Sequence, residues 1–364
     1  IPSNFKNGVE SLNYLCKKNG QFFYPWTLYS AGHADLDVHK FAPKESMIRD
    51  RDRDTSWLLL DSGGYNLARG VWPGKWGDPS CPAAAKKRKQ VLEFMDAYGD
   101  YGMTLDVPAW ICRSPRGMES TGIKSYQEAV DATFINNEYF INNRNGNCKF
   151  LNVLQGETHT QAEDWYNHMK KYCDPKQYPD RHFNGWAMGG QNMCSTSLML
   201  KRLVRLRHDQ LLEKGIHDNM HFLGTSKLEW ALLLTDVQRA IRKHHNENFM
   251  VTFDCASPFL SSANGQIYTE TVTADRKKWS YRMEPSIADK KYAYDNRLFR
   301  DVGLSDGYFK TFEDSPFSVG LKVSDVCVNG PGIPNPSIAP GTELDPYNPD
   351  HWSKMPDRNK IDKV

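Results

Sequence analysis

No apolar run in these 364 residues approaches the roughly 20 positions that a membrane-spanning helix needs, so a helical span is excluded. No Cys-x-x-Cys pair occurs either. The eight cysteines (Cys16, Cys81, Cys112, Cys148, Cys173, Cys194, Cys255 and Cys327) stand singly, which argues against a thiolate zinc cluster or a dense disulfide frame and for reduced thiols. An excess of either charge is lacking: 46 basic against 44 acidic residues leave a formal net charge of +2, which neither demands nor forbids an anionic partner. The stretch Ile1-Pro2-Ser3-Asn4-Phe5-Lys6 lacks the charged-then-apolar layout of a secretory leader. The expectation is a soluble, cytoplasmic protein.

What is present is globular: 39% hydrophobic and 12% aromatic residues, in a length that α/β barrels often use as one unit. The most telling stretch is Trp57-Leu58-Leu59-Leu60-Asp61-Ser62-Gly63-Gly64-Tyr65, an apolar run that ends in a carboxylate, two glycines and an aromatic. A buried strand delivers an acid to a pocket in this way; the glycines let the backbone come close to a ligand, and the ring of Tyr65 offers a stacking surface. Taken alone, Asp-Ser-Gly-Gly reads as a plain turn. The same grammar recurs, however, in Met103-Thr104-Leu105-Asp106, Phe150-Leu151-Asn152-Val153-Leu154-Gln155-Gly156, Trp186-Ala187-Met188-Gly189-Gly190, His221-Phe222-Leu223-Gly224 and Met250-Val251-Thr252-Phe253-Asp254. An aromatic run from Phe22 to Tyr29 offers an earlier strand, although Pro25 fits poorly inside a central one.

Between these runs lie segments of helical periodicity, three of them opened by a capping box: Ser125 with Glu128, Thr160 with Glu163, and Ser226 with Glu229. Strand and helix therefore alternate for some two hundred residues, which predicts an α/β fold with a parallel sheet covered by helices. With about seven units countable, a closed (β/α)8 TIM barrel with insertions is preferred to an open doubly wound sheet. The expected division is a barrel core over residues 1–274 and a divergent C-terminal region over 275–364. In such a barrel the strand ends share one cavity, so Asp61, Asp106, Gln155, Gly189, Gly190, Leu223 and Asp254 are expected to converge. The competing reading has Asp106 and Asp254 merely capping turns.

Two carboxylates across a cavity suit chemistry at an acetal-like carbon, one meeting the carbon and the other handling the leaving group's proton. Asp106, Gln155 and the backbone of Gly189 and Gly190 supply donors and acceptors for the edge of a heterocycle, and Tyr65 a cover for its face. The set suits a flat polar base better than a sugar chain. Three positive patches stand out. Lys86-Lys87-Arg88-Lys89 and Arg239-Ala240-Ile241-Arg242-Lys243 read as solvated helix faces. Arg276, Lys277, Lys278 and Arg282, interleaved with Trp279 and Tyr281, read either as a nucleic-acid contact or as a solvated loop. Tyr14 and Trp110 read as packing, with no assigned role.

The order Asp61-Ser62-Gly63-Gly64-Tyr65, Leu105-Asp106, Val153-Leu154-Gln155-Gly156, Ala187-Met188-Gly189-Gly190, Phe222-Leu223-Gly224, Phe253-Asp254-Cys255 and Asn264-Gly265-Gln266-Ile267-Tyr268-Thr269 resembles the guanine transglycosylases, which exchange guanine for a 7-deazaguanine. The resemblance covers roughly residues 55 to 270. It implies that Asp254 is the nucleophile at C1′, that Asp61 is the general acid and base, that Asp106, Gln155, Gly189 and Gly190 read the base edge, and that Tyr65 and Leu223 wall the base. It implies no metal in the chemistry and no cofactor beyond the 7-deazaguanine co-substrate.

The tRNA-modifying members carry a zinc site of three closely spaced cysteines and a later histidine, whereas only Cys327 follows Cys255 here. The sequence after about residue 275 also departs from theirs, with the proline-rich stretch Gly330-Pro331-Gly332-Ile333-Pro334-Asn335-Pro336. Altered nucleic-acid grip with retained chemistry resembles the phage-type relatives that act on DNA, which implies DNA as partner and a host cytoplasm as location. Three alternatives remain: a tRNA enzyme lacking the zinc site, a non-catalytic binding chain, and a glycoside hydrolase on the same barrel.

Overall fold

The computed structural model describes residues 13–18, 23–40, 45–257, 266–274, 279–285, 294–298 and 322. The chain divides into two compact units, one of Pro25–Ser226 with Trp230–Cys255 and the other of Ile1–Tyr24, Lys227–Glu229 and Ala256–Val364. In the second, β8 (Gln266–Val272) and β9 (Ser280–Pro285) pair as an antiparallel hairpin, in which Tyr268 and Tyr281 meet edge to face.

The first unit is an α/β structure around seven parallel strands: β1 (Trp26–Ser30), β2 (Trp57–Asp61), β3 (Tyr101–Met103), β4 (Lys149–Leu154), β5 (Gly185–Met188), β6 (Asn219–Phe222) and β7 (Met250–Phe253). They hydrogen-bond in sequential order. Strands such as Leu58, Leu59 and Leu60 are buried on both faces, as a helix-covered parallel sheet requires, which is why they read as unbroken apolar runs.

The sheet curls. The side-chain amide of Asn219 on β6 donates to the hydroxyl of Tyr101 on β3, three strands away. In a flat sheet those strands would stand about 14 Å apart, beyond the reach of the two side chains. Inside the curl, strand parity aligns Leu59, Tyr101, Met103, Leu151, Val153 and Ala187 in one cluster, against which Leu28, Trp57 and Leu223 pack. The result is a half-barrel with a filled interior.

The described helices are α1 (Ser46–Arg49), α2 (Gly64–Ala68), α3 (Pro82–Tyr98), α4 (Pro115–Thr121), α5 (Tyr126–Asn143), α6 (His159–Met169), α7 (Gln191–Cys194), α8 (Thr196–His208) and α9 (Leu228–His244), and local chemistry caps several of them. In α5 (Tyr126–Asn143) Ser125 Oγ accepts from the Glu128 N–H at 3.2 Å while the Glu128 carboxylate accepts from the Ser125 N–H at 3.1 Å. The second expected box is displaced: α6 (His159–Met169) starts earlier than Thr160, because Thr158 accepts from the Gln161 N–H at 3.1 Å and takes the capping position. The helix α9 (Leu228–His244) begins just past the position that Ser226 would cap. Among the described residues no helix is long and apolar enough to cross a membrane.

Two local expectations are corrected. Arg88, in α3 (Pro82–Tyr98), is not on a solvated face: it is buried, donates to Asn136 Oδ1 at 2.6 Å and packs over the rings of Trp76 and Tyr139. The strand expected over Met103–Asp106 is shifted towards the N-terminus, to Tyr101–Met103, and Asp106 sits on the loop beyond it. Pro25 immediately precedes β1, where its missing N–H costs no ladder bond and its carbonyl accepts from the Trp57 N–H at 2.6 Å. The seven cysteines outside residue 327 are all free.

Candidate active site

Parallel strands of one sheet end on one side, and here the carboxyl ends carry the polar residues. Asp61 closes β2 beside Ser30, the last residue of β1, with which it is in register. The Ser30 hydroxyl donates to Asp61 Oδ2 at 2.5 Å. Gly63, at φ 84°, turns the chain directly after the acid and caps the short helix α2 (Gly64–Ala68). Gly64 has no room for a side chain: a Cβ there would lie 2.8 Å from both the carbonyl and a carboxylate oxygen of Asp106. Gly63 thus makes the turn and Gly64 seats Asp106 against it.

Asp106 is buried, and its Oδ2 accepts from Gln155 Nε2 at 2.8 Å. Gln155 follows β4, and its amide lies against Gly189, where a Cβ would come within 2.9 Å of Nε2. Gly190, at φ 53°, packs on the carbonyl of Gly156. Asn192 locks these tips together by donating to the carbonyls of Gly189 at 3.2 Å and Gln155 at 3.4 Å. Its own Oδ1 and the hydroxyl of Ser62 are buried without a hydrogen-bond partner among the described residues.

Asp254 follows β7. Its Oδ1 accepts from the Gly224 N–H at 3.1 Å and lies 3.0 Å from Nε2 of His221, a buried residue of β6. The other ring nitrogen of His221 lies 2.9 Å from Thr252 Oγ1. Because an ionised carboxylate only accepts, Nε2 carries the proton in this contact.

The electrostatics separate the acids. Burial pushes the Asp61 carboxyl above its ordinary value and the negative charge of Asp254 adds to this, while the Ser30 hydroxyl and the Gly63 N–H hold it back. Asp254 experiences the same opposing burial, yet the hydrogen bond and charge of His221 and the N–H of Gly224 carry it below the ordinary value. Burial raises Asp106 to about 7, against the Gln155 amide and with the help of the Asp61 charge. That Asp61 and Asp254 influence each other from β2 and β7 is a direct consequence of the curl; in a flat sheet five strand spacings, about 24 Å, would separate them.

The structure therefore brings Asp61, Asp106, Gln155, Gly189, Gly190 and Asp254 to one end of the sheet. Leu223 lies between His221 and Gly224 and packs on the inner cluster. Tyr65 stands on α2, 63% exposed, with its ring 5.5 Å from that of Trp110. Arg276, Lys277 and Lys278 lie outside the described residues, and Arg282 belongs to β9. Sequence reasoning overlooked Ser30, Asn192 and His221. The signal for His221 was parity: it shares a strand face with Leu223, two residues on, and faces inward with it.

Two carboxyls shifted in opposite directions at one sheet end could serve displacement at a carbon, one as nucleophile and the other as proton donor. Among the described residues, no three His, Cys, Asp or Glu side chains are placed to hold a metal ion. A scan against protein-family models finds no match for the chain, and a search among curated proteins finds no similar one.

Proposed function

We propose that the protein is a DNA-guanine transglycosylase on a (β/α)8 barrel, exchanging guanine in DNA for a 7-deazaguanine in the cytoplasm. The observation that carries the reading is the opposite displacement of two carboxyls at one sheet end, Asp254 downwards and Asp61 upwards. A carboxyl favoured in its charged form suits a nucleophile, and one whose charged form burial disfavours suits a proton donor.

The reaction then balances in two steps. A carboxylate oxygen of Asp254 bonds to C1′ as the glycosidic bond breaks, and the bonding pair leaves with guanine, which takes its proton from Asp61. The 7-deazaguanine next gives a proton to the Asp61 carboxylate and attacks C1′ through nitrogen, expelling Asp254. Two inversions return the starting configuration. Asp106 and Gln155 hold the base edge, with the buried Asn192 Oδ1 and Ser62 hydroxyl as further partners. Tyr65 covers the base face. In duplex DNA the target nucleotide must first leave the stack.

The test is incubation of the protein with labelled guanine and, separately, guanine-containing DNA and tRNA. Label entering DNA is the expected result. Label entering tRNA alone overturns the choice of DNA, and label entering neither overturns the exchange chemistry.

A further inference from the structure

A cavity of about 370 Å³ is bounded by Arg69, Trp110, Arg113, Ser114, Pro115 and Arg116. We propose that it is a subsite for the phosphodiester backbone of a single nucleic-acid strand, beside the nucleotide whose base enters the site. The inference rests on the transglycosylase reading for the strand's identity, but the anion chemistry stands on the cavity itself.

Three arginines line this space. Arg113 pairs with Glu157, whereas Arg69 and Arg116 have no ion-pair partner among the described residues. Three cations against one carboxylate repel one another, and a bound anion removes that cost. Guanidinium forks match phosphate oxygens in pairs, which ammonium groups do not. The aromatic member points the same way: Trp110 lines the cavity, and its ring lies 5.5 Å from that of Tyr65 on α2. A nucleotide strand has both features, a stacking ring and a phosphate.

The cavity is also fixed relative to the catalytic turn. Arg69 directly follows α2, which begins at Gly64, and Arg116 lies in α4 (Pro115–Thr121). These helices are in backbone contact: a Cβ on Gly117 would lie 2.1 Å from the Ala68 carbonyl oxygen. Gly70, at φ 73°, would meet the Arg116 carbonyl oxygen at 2.8 Å, and Ser120 Oγ donates to the Gly70 carbonyl at 3.1 Å. Arg69 and Arg116 are thus carried on one rigid platform with Asp61.

The experiment is fluorescence anisotropy of a labelled 12-nucleotide single-stranded DNA against the full chain over a range of salt, with an RNA of the same sequence as a second arm. Arg69→Gln/Arg116→Gln is compared with Lys86→Gln/Lys243→Gln, which removes the same charge from exposed helix positions. The expected result is weaker DNA binding and a salt slope shallower by about 1.4, roughly 0.7 per lost phosphate contact, with a smaller change in the lysine control. Equal behaviour of the two variants, or loss confined to the RNA arm, overturns the proposal. Labelled-guanine exchange by the wild-type protein separates the two readings. Loss of slope without exchange keeps the subsite and removes the transglycosylase, and exchange with an unchanged slope does the reverse.

Discussion

His221 Nε2 lies 3.0 Å from Asp254 Oδ1, while the side chain that meets Asp61 is the hydroxyl of Ser30, 2.5 Å from its Oδ2. The ring N–H of His221 holds the Asp254 carboxyl below its ordinary value, whereas the Ser30 hydroxyl only holds Asp61 back against burial. The strands thereby shift two chemically identical side chains in opposite directions. Replacing His221 by Gln should raise the Asp254 pKa, because a contact that favours its charged form is lost. Activity should then begin to fall at a higher pH on the acid side. Hydrogen bonds to charged groups are worth about 1.5–3 kcal/mol, which corresponds to roughly 10- to 100-fold in rate. A pH profile of base exchange checks this; an unmoved acid limb would refute the role of His221.

Ser30→Ala acts on the other acid and in a different limb. The Ser30 hydroxyl holds the Asp61 pKa down against burial. Its removal raises that pKa further, so Asp61 keeps its proton to higher pH. The limb in which exchange is lost as the acid deprotonates should move to higher pH, while the limb belonging to Asp254 stays in place. Movement of both limbs together would mean that the two acids titrate as one pair.

Asp106 connects the site to stability. Its carboxyl sits at about 7 in the folded protein, above its ordinary value, so the native state holds this proton more tightly than the unfolded chain does. That contribution is fully present below the unfolded value and is lost as pH rises through about 7. It amounts to about 4 kcal/mol at most. Over pH 4 to 8 the melting temperature of the wild type should therefore fall relative to that of Asp106→Asn. Parallel melting curves would refute the burial effect. If Asp106 accepts from the donor groups of guanine, guanine affinity should also rise with pH through neutrality in the wild type and become flat in the variant.

Much of this site was legible because parallel strands put their ends together: Asp61, Gln155, Gly189 and Asp254 each terminate a run that reads as a strand without any structure. The periodicity of apolar residues could locate those ends but not what lies within a strand. His221 stands inside β6 between Met220 and Phe222, and only its inward parity with Leu223 marks it as part of the site. Ser30 was hidden for a related reason, since Pro25 cast doubt on β1 although the strand starts just after it. Arg88 read as solvated because three lysines surround it, and its burial depends on Trp76, Asn136 and Tyr139, which only tertiary packing brings near. The start of α6 was expected at Thr160, whereas Thr158, two residues earlier, takes the capping position.

Gly189 and Gly190 are adjacent yet should fail in different ways when given a methyl group. Gly190 has φ 53°, and its Cβ would meet the Gly156 carbonyl oxygen at 2.3 Å, a backbone atom that cannot step aside. Gly190→Ala should cost about 1–3 kcal/mol and lower the melting temperature by roughly 2–4 °C per kcal/mol. At Gly189 the first obstacle is the Gln155 amide at 2.9 Å, the end of a side chain that can rotate away. Rotation breaks its 2.8 Å bond to Asp106, so Gly189→Ala should melt close to the wild type while raising the KM for the free base. Thermal melting and base-exchange kinetics on both variants check the contrast. A large melting loss in Gly189→Ala with KM unchanged would show that these glycines serve the fold alone and that the Gln155–Asp106 pair does not hold the base.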